Sequence, residues 1–376
     1  MASREPAGGR ARIAGVKLSR GKVVVAMSGG VDSSVAACLL REQGYEVTGL
    51  FMRTGVSEPA AEGAACEPKH RGCCSAVDAS DARSVAGRLG IPFFALNFKD
   101  EFDRIIEYFA DEYERGRTPN PCVMCNEHLK FGRLAEYGRA VGADFVATGH
   151  YARIEQRDGG YRLLRGVDTA KDQSYVLFGI GRDMLARTLF PIGAMTKAEV
   201  RDHARRFGLT LSDKPESQDI CFVPDRDYAR VVRERRPAAF RPGVIRDAAG
   251  NEVGCHEGIP NFTIGQRRGL GVAMGLPVYV TRIDAKTGTV TIGTRDQLHS
   301  SELVAAKVHW LIDPPTDEFR ADVKIRYSHP AAPATVRVLD AQRIRVVFDQ
   351  PQLAITPGQA AVLYDGDVVL AGGWIE

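Results

Sequence analysis

KVVVAMSGGVDSS, residues 22–34, is the stretch that decides the fold of this chain. Its first part, residues 22–27, is an apolar run with β-branched residues, which is typical of a parallel strand buried on both faces. Helical spacing follows over residues 32–41 and ends before Gly44. The segment therefore predicts a strand, a glycine turn and a helix, the first unit of an α/β domain.

The alternation of strand and helix continues through the first half of the chain. Repeated β-α-β units with short connections predict a doubly wound parallel sheet. Residues 58–73 interrupt the rhythm with Ala, Gly, Pro and charged residues, and we expect a mobile surface excursion there. Further strands are predicted at residues 46–52, 93–96 and 145–148, and helices at 78–89, 101–115 and 127–141.

The pattern changes after Leu211, where the chain becomes rich in Pro, Gly and Arg. From Val278 onward, short alternating runs separated by turn signals predict a small antiparallel barrel. Its strands are expected at residues 278–284, 288–293, 322–328, 334–340, 343–349, 359–365 and 367–376. The expected divisions are a flexible basic tail (1–20), an α/β domain (21–212), a small central module (213–280) and a C-terminal β-barrel (281–376).

The composition is that of a globular protein of two or three domains. Of 376 residues, 44% are hydrophobic and 26% are charged, which excludes collagen-like and wholly disordered chains. No apolar run approaches the ~20 residues that span a bilayer, and residues 1–20 lack the apolar core of a secretory signal. Eight cysteines in such a chain favour metal binding, catalysis or burial over a disulfide scaffold. We expect a cytoplasmic protein without membrane contact.

Positive charge is carried mainly by arginine, with 39 Arg against 11 Lys in a chain of net charge +3. Six arginines fall within residues 228–246, where the only acid is Glu234, and a further pair is Arg267 and Arg268. Such a cluster is typical either of a solvated surface or of a surface that tracks phosphates. On this pattern alone, the solvated surface is favoured. The six are Arg230, Arg233, Arg235, Arg236, Arg241 and Arg246.

The turn SGGVDSS, residues 28–34, has the features of an anion cradle. Its two glycines allow close backbone approach, its serine hydroxyls add donors, and the helix N-terminus supplies unpaired N–H groups. A Gly-Gly turn capped by Ser and Asp is also common as plain structure. The Gly-Lys-Ser/Thr ending of a Walker A loop is absent, which disfavours transfer of a γ-phosphate.

Two cysteines stand in GRTPNPCVMCN, residues 116–126, beside conformationally restricted prolines. Asn126 is expected to cap the next helix, which puts Cys125 at the helix N-terminus, where a thiolate is stabilised. The spacing of Cys122 and Cys125 fits half of a zinc site, a redox pair, or a nucleophile with a neighbouring thiol. Cys73 and Cys74 could in principle complete such a zinc site.

A further cysteine, Cys221, stands in ESQDICF, residues 216–222, where the α/β domain ends. A cysteine flanked by Ile and Phe is most often buried and inert. Its place at the junction of two domains makes it a candidate for chemistry as well.

Nine motifs along the chain together indicate a family. SGGVDSS resembles the pyrophosphate-binding loop of the ATP pyrophosphatases (PP-loop enzymes), which split ATP into AMP and pyrophosphate. The full series resembles the bacterial tRNA-specific 2-thiouridylases (the MnmA family) over about residues 20–376, and implies an adenine nucleotide α-hydrolase-like first domain. In order, the motifs are SGGVDSS, GLFM, GRTPNP followed by CN, ATGHY, KDQSY, DICF, GQRRGLG, KIRYSH and TPGQ.

This resemblance implies an ATP-dependent sulfurtransferase that adenylates the C2 oxygen of the tRNA wobble uridine and replaces it with sulfur. It implies that Cys221 receives sulfur as a persulfide from a carrier protein or cysteine desulfurase, and that Cys125 is the nucleophile that leaves a Cys125–Cys221 disulfide. A monomer is expected when free, with tRNA bound partly by the central module and its arginines. ATP, with Mg²⁺, is implied at Ala26, Met27, Ser28, Gly29, Gly30, Val31, Asp32, Ser33, Met52 and Gly149. Contacts with tRNA are implied at Asn120, Pro121, Cys122, His150, Lys171, Asp172, Gln173, Arg326, Tyr327 and Gln359.

The chain departs from the family pattern at Cys122, where many members carry Asp. The carboxylate proposed as an acid–base helper is therefore missing, and Cys122, Cys125 and Cys221 could instead hold a 4Fe–4S cluster with one open iron. The persulfide and cluster mechanisms stay open as alternatives. Two other interpretations are an adenylating ligase or amidotransferase that acts on a small molecule, and a non-catalytic RNA-binding protein whose CxxC is half of a zinc site.

Overall fold

The computed structural model describes residues 20–55, 75–157, 159–212, 214 and 220–376. The basic tail up to residue 19 and the excursion predicted at 58–73 lie outside these residues. So do Cys66, Cys73 and Cys74, and with them the second half of the suggested zinc site.

The described elements follow in chain order. The strands are β1 (Lys22–Ala26), β2 (Glu46–Arg53), β3 (Phe93–Asn97), β4 (Phe145–Ala147), β5 (Ala152–Arg157), β6 (Gly160–Arg165), β7 (Thr188–Leu189), β8 (Gly243–Arg246), β9 (Glu252–His256), β10 (Tyr279–Asp284), β11 (Thr289–Gly293), β12 (His299–Trp310), β13 (Glu318–Lys324), β14 (Ala332–Asp340), β15 (Arg343–Leu353), β16 (Ala360–Asp365) and β17 (Val368–Ile375). The α-helices are α1 (Val31–Glu42), α2 (Ala76–Leu89), α3 (Lys99–Glu114), α4 (Pro121–Met124), α5 (Leu134–Ala140), α6 (Lys197–Arg206) and α7 (Tyr228–Arg235), and a π-helix, Cys125–Arg133, joins α4 to α5. Within the described ranges, no helix has the length and apolar character needed to cross a membrane.

The first domain is built on a parallel sheet with helices on both faces, which confirms the predicted fold class. The strand order is β3-β2-β1-β4-β7, and every pairing is parallel. Val23 and Val25 of β1 pack with α1, α2 and α6, whereas Val24 and Ala26 pack with α3 and the π-helix. The strand order reverses at β1 and β4, and ligands of such sheets bind beyond the carboxyl ends of the strands at that point.

The helix expected at 127–141 begins earlier than predicted, at Pro121. A proline is favoured at the first helical position because its missing N–H would have had no partner there. The prediction that Asn126 caps this helix is wrong: Asn126 is buried, and its side-chain amide donates to the Val176 carbonyl at 2.8 Å. Cys125 accordingly lies beyond the first turn and not at the helix N-terminus.

The central module is a four-stranded sheet of order β10-β11-β8-β9. The prediction that the strands at 278–284 and 288–293 belong to the barrel is wrong, because β10 pairs with β11 and β11 pairs in parallel with β8. The boundary expected at residue 281 therefore falls inside β10. Apolar and polar residues alternate in the same way in both sheets, so the pattern does not reveal a strand's partner.

The C-terminal barrel closes through six strands in the order β12-β15-β14-β13-β16-β17, with β12 pairing back to β17. Closure leaves these strands without a free edge. A hairpin of the first domain, β5–β6, extends the same sheet where Leu164 pairs with Val368 of β17. This hairpin is absent from the predicted elements, because its Arg, Glu and Gln residues weaken the strand pattern.

Candidate active site

The turn between β1 and α1 forms a backbone cradle at the carboxyl edge of the sheet. Gly29 has φ +72°, and a Cβ there would overlap the backbone carbonyl of Asp78, so this position requires glycine. A Cβ on Gly30 would meet the Ser28 hydroxyl oxygen at 3.5 Å and would otherwise project into open space. Gly30 is the N-cap of α1, and no side chain caps the N–H groups of the first turn. The turn therefore fits an anion such as a polyphosphate.

The serines of this turn mainly hold its shape. Ser33 Oγ accepts from the Ser28 N–H at 3.1 Å and donates to the Gly30 carbonyl at 3.2 Å. The Ser34 hydroxyl donates to the same carbonyl at 2.8 Å. Both Ser33 and Ser34 are buried, whereas Ser28 is exposed. Ser28 is thus the hydroxyl best placed to meet a bound nucleotide.

Asp32 anchors the cradle to neighbouring parts of the domain. Its carboxylate accepts hydrogen bonds from Lys197 Nζ at 2.7 and 2.8 Å and from the Tyr151 hydroxyl at 2.8 Å. Gly149 passes so close that a Cβ would lie 2.6 Å from backbone atoms of Asp32 and Ser33. The contact brings an ammonium group to the turn from Lys197, a residue that no sequence motif singled out.

A second ammonium group reaches the cradle from the end of the domain. Lys214 Nζ donates to the Gly29 carbonyl at 2.8 Å and to the carboxylates of Asp78 and Asp81, both at 2.6 Å. The side chains of Lys214 and Asp78 are 10% and 5% exposed. Lys214 lies seven residues before Cys221 in the sequence. A lysine in a proline-containing stretch gives no sequence signal for such a role.

Cys122 and Cys125 lie one turn apart on the helix that begins at Pro121. The backbone N–H of Cys125 donates to the carbonyls of Cys122 and Pro121. Cys122 is exposed, whereas Cys125 is partly buried and packs against the core on the α3 side of the sheet. The π-helix starts at Cys125, and π-helical turns are rare and frequently found at functional sites.

Cys221 is partly buried and packs against the same core as Cys125. Its neighbour Phe222 is buried and meets Phe109 of α3 edge to face, with ring centroids 5.1 Å apart. Met52, near the end of β2, contacts this core as well. The structure thus brings both candidate thiols and a predicted adenosine-side residue to one side of the sheet.

The three predicted cluster thiols are not arranged as a ligand set. Cys122, Cys125 and Cys221 all lie in the described part of the chain, where no group of three or more His, Cys, Asp or Glu side chains is placed to hold a metal ion. The residues present therefore do not fit a 4Fe–4S cluster, and that alternative is unsupported. Among the described residues, no such group includes the CxxC pair either, so a zinc site there is equally unsupported.

The barrel holds the loop that leads into the thiol-bearing helix. The side-chain amide of Gln359 donates to the carbonyls of Thr118 and Pro119 at 3.0 and 3.1 Å. The Thr118 N–H donates to the Pro357 carbonyl at 2.8 Å. Gly358, with φ +87°, lies so near that a Cβ would be 2.9 Å from the Thr118 carbonyl oxygen. Gln359, predicted to contact tRNA, thus positions this loop through its amide nitrogen.

An aromatic and basic surface borders the same loop. Tyr327 is 44% exposed, and its ring lies 6.3 Å from that of buried Tyr175. Lys324 Nζ lies 5.6 and 5.8 Å from the two ring centroids, and burial lowers the pKa of this lysine. The Tyr175 hydroxyl is hydrogen-bonded to the Asn120 side chain. Lys324 opens the KIRYSH motif but is not among the predicted tRNA contacts, because it alternates along β13 as any surface lysine does.

His150 is buried in the domain and not placed on its surface. Lys130 Nζ lies 3.3 Å from His150 Nε2, and the Thr148 hydroxyl lies 2.6 Å from Nδ1. Because an ammonium group can only donate, Nε2 is the acceptor and Nδ1–H donates to Thr148. Burial, and then the Lys130 charge, hold the pKa of His150 well below its ordinary value and keep the ring neutral. A direct contact of this ring with tRNA would require that it be uncovered.

The KDQSY segment is a turn held mainly by its own side chains. The buried Asp172 carboxylate accepts hydrogen bonds from the N–H groups of Gly166 and Ser174, both at 3.0 Å, and from the Ser174 hydroxyl at 2.9 Å. The Gln173 side-chain oxygen accepts a backbone N–H of the ATGHY segment at 3.0 Å. Asp172 and Gln173 therefore shape the turn, and the partly exposed Lys171 is the member best placed for RNA.

Two further predicted tRNA contacts are held by the protein itself. The Arg326 guanidinium donates to the Leu353 carbonyl at 2.7 Å. Pro121 is buried as the first residue of α4. Each fixes the surface that carries the exposed Tyr327 and Cys122.

Four of the six arginines of residues 228–246 form ion pairs with acids of the chain itself. Arg235 pairs with Asp103 and Glu107, and Arg236 pairs with Glu107 and Asp111, at N–O distances between 2.6 and 3.0 Å. These ion pairs fasten α7 to α3. The expectation that the cluster tracks phosphates stays a prediction, and it has less support for the arginines that acids of the chain already hold. Those are Arg230, Arg235, Arg236 and Arg246.

Three family profiles match the chain in succession. The tRNA methyl transferase HUP domain matches residues 21–225, the tRNA methyl transferase PRC-barrel domain matches 231–294, and the aminomethyltransferase beta-barrel domain matches 300–375. The second span includes β10 and β11, in agreement with their pairing in the central sheet.

Curated relatives resemble the chain over nearly its whole length. It is 49% identical over 363 residues to the tRNA-specific 2-thiouridylase MnmA of Carboxydothermus hydrogenoformans, which covers 96% of this chain and 98% of the relative. It is 51% identical over 364 residues to the protein of that name from Geobacter metallireducens, covering 95% and 97%. Among solved structures, a 4-thiouridine synthetase–RNA complex with bound ATP is 17% identical, with a TM-score of 0.36 over 58% of this chain and 50% of that one.

Proposed function

Because this chain belongs to the tRNA-specific 2-thiouridylase family, we propose that it is an ATP-dependent sulfurtransferase that thiolates C2 of the tRNA wobble uridine. The observation that carries this proposal is the packing of Cys125 and Cys221 against one core of a domain whose cradle fits a polyphosphate. A small-molecule ligase of the same superfamily would need no such pair of thiols.

Activation of the uridine is the first step. The C2 oxygen attacks the α-phosphate of ATP, which forms the adenylated base and releases pyrophosphate. A carbonyl oxygen is a poor leaving group, whereas AMP is a good one, so adenylation prepares C2 for substitution. The turn at residues 28–33 binds the phosphates, and ATP arrives as its Mg²⁺ complex. The ammonium groups of Lys197 and Lys214 offset the negative charge of Asp32, Asp78 and Asp81 beside the turn.

Sulfur transfer then uses the two thiols in sequence. The terminal sulfur of a Cys221 persulfide attacks C2 and expels AMP, which leaves Cys221 joined to the base through two sulfurs. The Cys125 thiolate attacks the Cys221 sulfur and breaks the S–S bond. The bonding electron pair passes to the sulfur on C2, which becomes the thiocarbonyl, and a Cys125–Cys221 disulfide remains.

Delivery of the base requires that the uridine leave the anticodon stack, at a cost of a few kcal/mol. Asn120 and Tyr327 border the loop that leads to the thiols, with Lys324 beside the Tyr175 and Tyr327 rings, and together they offer stacking and charge to the RNA. The sulfur reaches Cys221 from a persulfide carrier protein or a cysteine desulfurase. We propose that the enzyme acts as a monomer in the cytoplasm.

The test is a thiolation assay with tRNA that lacks the modification. The full chain, ATP and a persulfide source are incubated with this tRNA, and thionucleoside, AMP and pyrophosphate are measured by mass spectrometry and chromatography. We expect product in the wild type and at least a ~100-fold loss in Cys125→Ser and Cys221→Ser, because each removes a reacting atom. Cys255→Ser, which changes an exposed cysteine of the central module, is the matched control and should keep activity.

Two results would contradict the proposal. Thiolation that survives loss of either Cys125 or Cys221 would remove the assigned roles. Formation of AMP at the full rate without tRNA would indicate a small-molecule substrate instead.

A further inference from the structure

We propose that Cys122 resolves the disulfide left by each turnover, a role that rests on the proposed function. Transfer of one sulfur atom leaves Cys221 bonded to Cys125, so Cys221 cannot accept new sulfur. A third thiol one helical turn from Cys125 can regenerate Cys221 by exchange within the chain.

The distance between Cys122 and Cys125 suits a disulfide. The hydrogen bond from the Cys125 N–H to the Cys122 carbonyl shows that a single helical turn separates them. Cα atoms three residues apart on a helix are ~5 Å apart, within the roughly 4.4–6.8 Å over which disulfides form. The bond therefore needs side-chain rotation and little movement of the backbone.

The two thiols also differ in exposure in the way that exchange requires. Cys125 is partly buried and faces the core that Cys221 contacts, whereas Cys122 is exposed on the preceding turn. Pro121 fixes the start of the helix, and Gln359 holds the carbonyl groups of the loop before it. Cys122 is thus held where it can reach the inner thiol and where an external reductant can reach it.

The exchange conserves atoms and electrons. The Cys122 thiolate attacks the Cys125 sulfur, the Cys125–Cys221 bond breaks, and its electron pair leaves on Cys221 as a thiolate. The product is a Cys122–Cys125 disulfide on an accessible helix start. A dithiol reductant then reduces that disulfide and is itself oxidised, which returns all three thiols to their starting state.

The experiment is a disulfide map after one turnover. The full-length enzyme carrying one persulfide sulfur is mixed with ATP and unmodified tRNA without reductant, then quenched in acid, alkylated and digested for mass spectrometry. In the wild type we expect a Cys122–Cys125 link and an alkylated Cys221. In Cys122→Ser we expect the Cys125–Cys221 link to persist, and Cys255→Ser should give the wild-type map.

A kinetic measurement tests the role of Cys122 independently of the disulfide map. With a limiting dithiol reductant, the ratio of the second-turnover rate to the first-turnover rate within each protein should fall at least about ten-fold in Cys122→Ser. Since each protein is its own reference, a general loss of activity does not mimic this change.

A wild-type enzyme that makes thionucleoside yet retains only the Cys125–Cys221 link would overturn the role of Cys122, and this result needs no variant. An unchanged turnover ratio in both Cys122→Ser and Cys122→Ala would overturn it as well. If no thionucleoside forms in the wild type, the proposed function fails instead, and the product assay identifies that case.

Discussion

At Gly29 the difference between a hydrogen and a methyl group decides whether the nucleotide turn can form. Its φ of +72° and the overlap of a Cβ with the Asp78 carbonyl predict that Gly29→Ala lowers the free energy of unfolding by about 2–4 kcal/mol. ATP affinity should fall together with stability, because the same backbone shift opens the cradle. Urea unfolding and calorimetric titration with ATP measure the two effects.

The matched control is Gly142→Ala. Gly142 has a similar φ of +77°, and a Cβ there meets nothing within 4 Å, so this variant carries backbone strain alone, ~1 kcal/mol. Equal losses of stability in the two variants would refute the packing argument for Gly29.

His150 gives the stability of the protein a predictable dependence on pH. Burial lowers its pKa in the folded state, whereas the unfolded histidine takes up a proton near pH 6.5. The unfolded state therefore binds more protons as the pH falls, and stability is lost below the unfolded pKa. Between pH 7.0 and 5.5 the wild type should lose about 1 kcal/mol more than His150→Gln in urea unfolding. His299→Gln, at an exposed histidine, is the control, and an identical pH dependence of all three proteins would exclude this role.

At the residue scale, sequence motifs pointed to the glycine turn and the thiols but not to Lys214 and Lys324, and the roles of all these residues stay predictions. SGGVDSS and the two cysteine segments have distinctive neighbours, so they are visible in one sequence. Lys214 and Lys324 act through partners that are distant along the chain, Gly29 and Tyr175. A single sequence does not specify such pairings, so these lysines were missed.

At the scale of elements, the contact of α7 with α3 distinguishes arginines that hold two helices together from arginines that are free to bind phosphate. Arg236 is held by acids of α3, so Arg236→Ala should lower the free energy of unfolding by about 1 kcal/mol and leave the salt dependence of tRNA binding unchanged. Arg267 is exposed, and Arg267→Ala should reduce the slope of log affinity against log salt by about 1. Titrations at several salt concentrations measure both slopes, and a reduced slope in Arg236→Ala would show that this arginine does meet phosphate.

The elements β1–β4 and α1–α3 of the first domain were predictable because each carries its own period of apolar residues, whereas α6 was not among the predicted elements. The start of the thiol-bearing helix was not predictable, because a proline such as Pro121 is compatible both with a loop and with the first position of a helix. β7, of two residues, is too short to show a period. The hairpin β5–β6 is filled with charged residues that suit its exposed faces and obscure its strands.

At the scale of the whole molecule, the barrel acts on the site through the loop at 116–120. Gly358→Ala would place a methyl group 2.9 Å from the Thr118 carbonyl oxygen, so the loop and the helix start must shift. We expect a roughly ten-fold lower thiolation rate with ATP affinity unchanged, because the cradle lies in another part of the domain. Single-turnover kinetics and ATP titration measure the two quantities. Gly366→Ala is the control, because Gly366 has φ +54° and open space around it. Equal thiolation rates in the two variants would argue against an effect of the barrel on the loop.

The order of domains was visible in the sequence, but their assembly was not. Composition shifts at Leu211 and alternation after Val278 gave three units in the right order. β10 and β11 belong to the central sheet and not to the barrel because β11 pairs in parallel with β8. No local sequence pattern encodes this pairing.

The shared sheet of β5, β6 and β17 has a consequence for how the protein is made. The hairpin β5–β6 is synthesised with the first domain, but β17, which pairs with the edge of β6, is synthesised about two hundred residues later. Until then, the nascent chain exposes unpaired backbone groups to any other extended segment, which is a known route to misassembly.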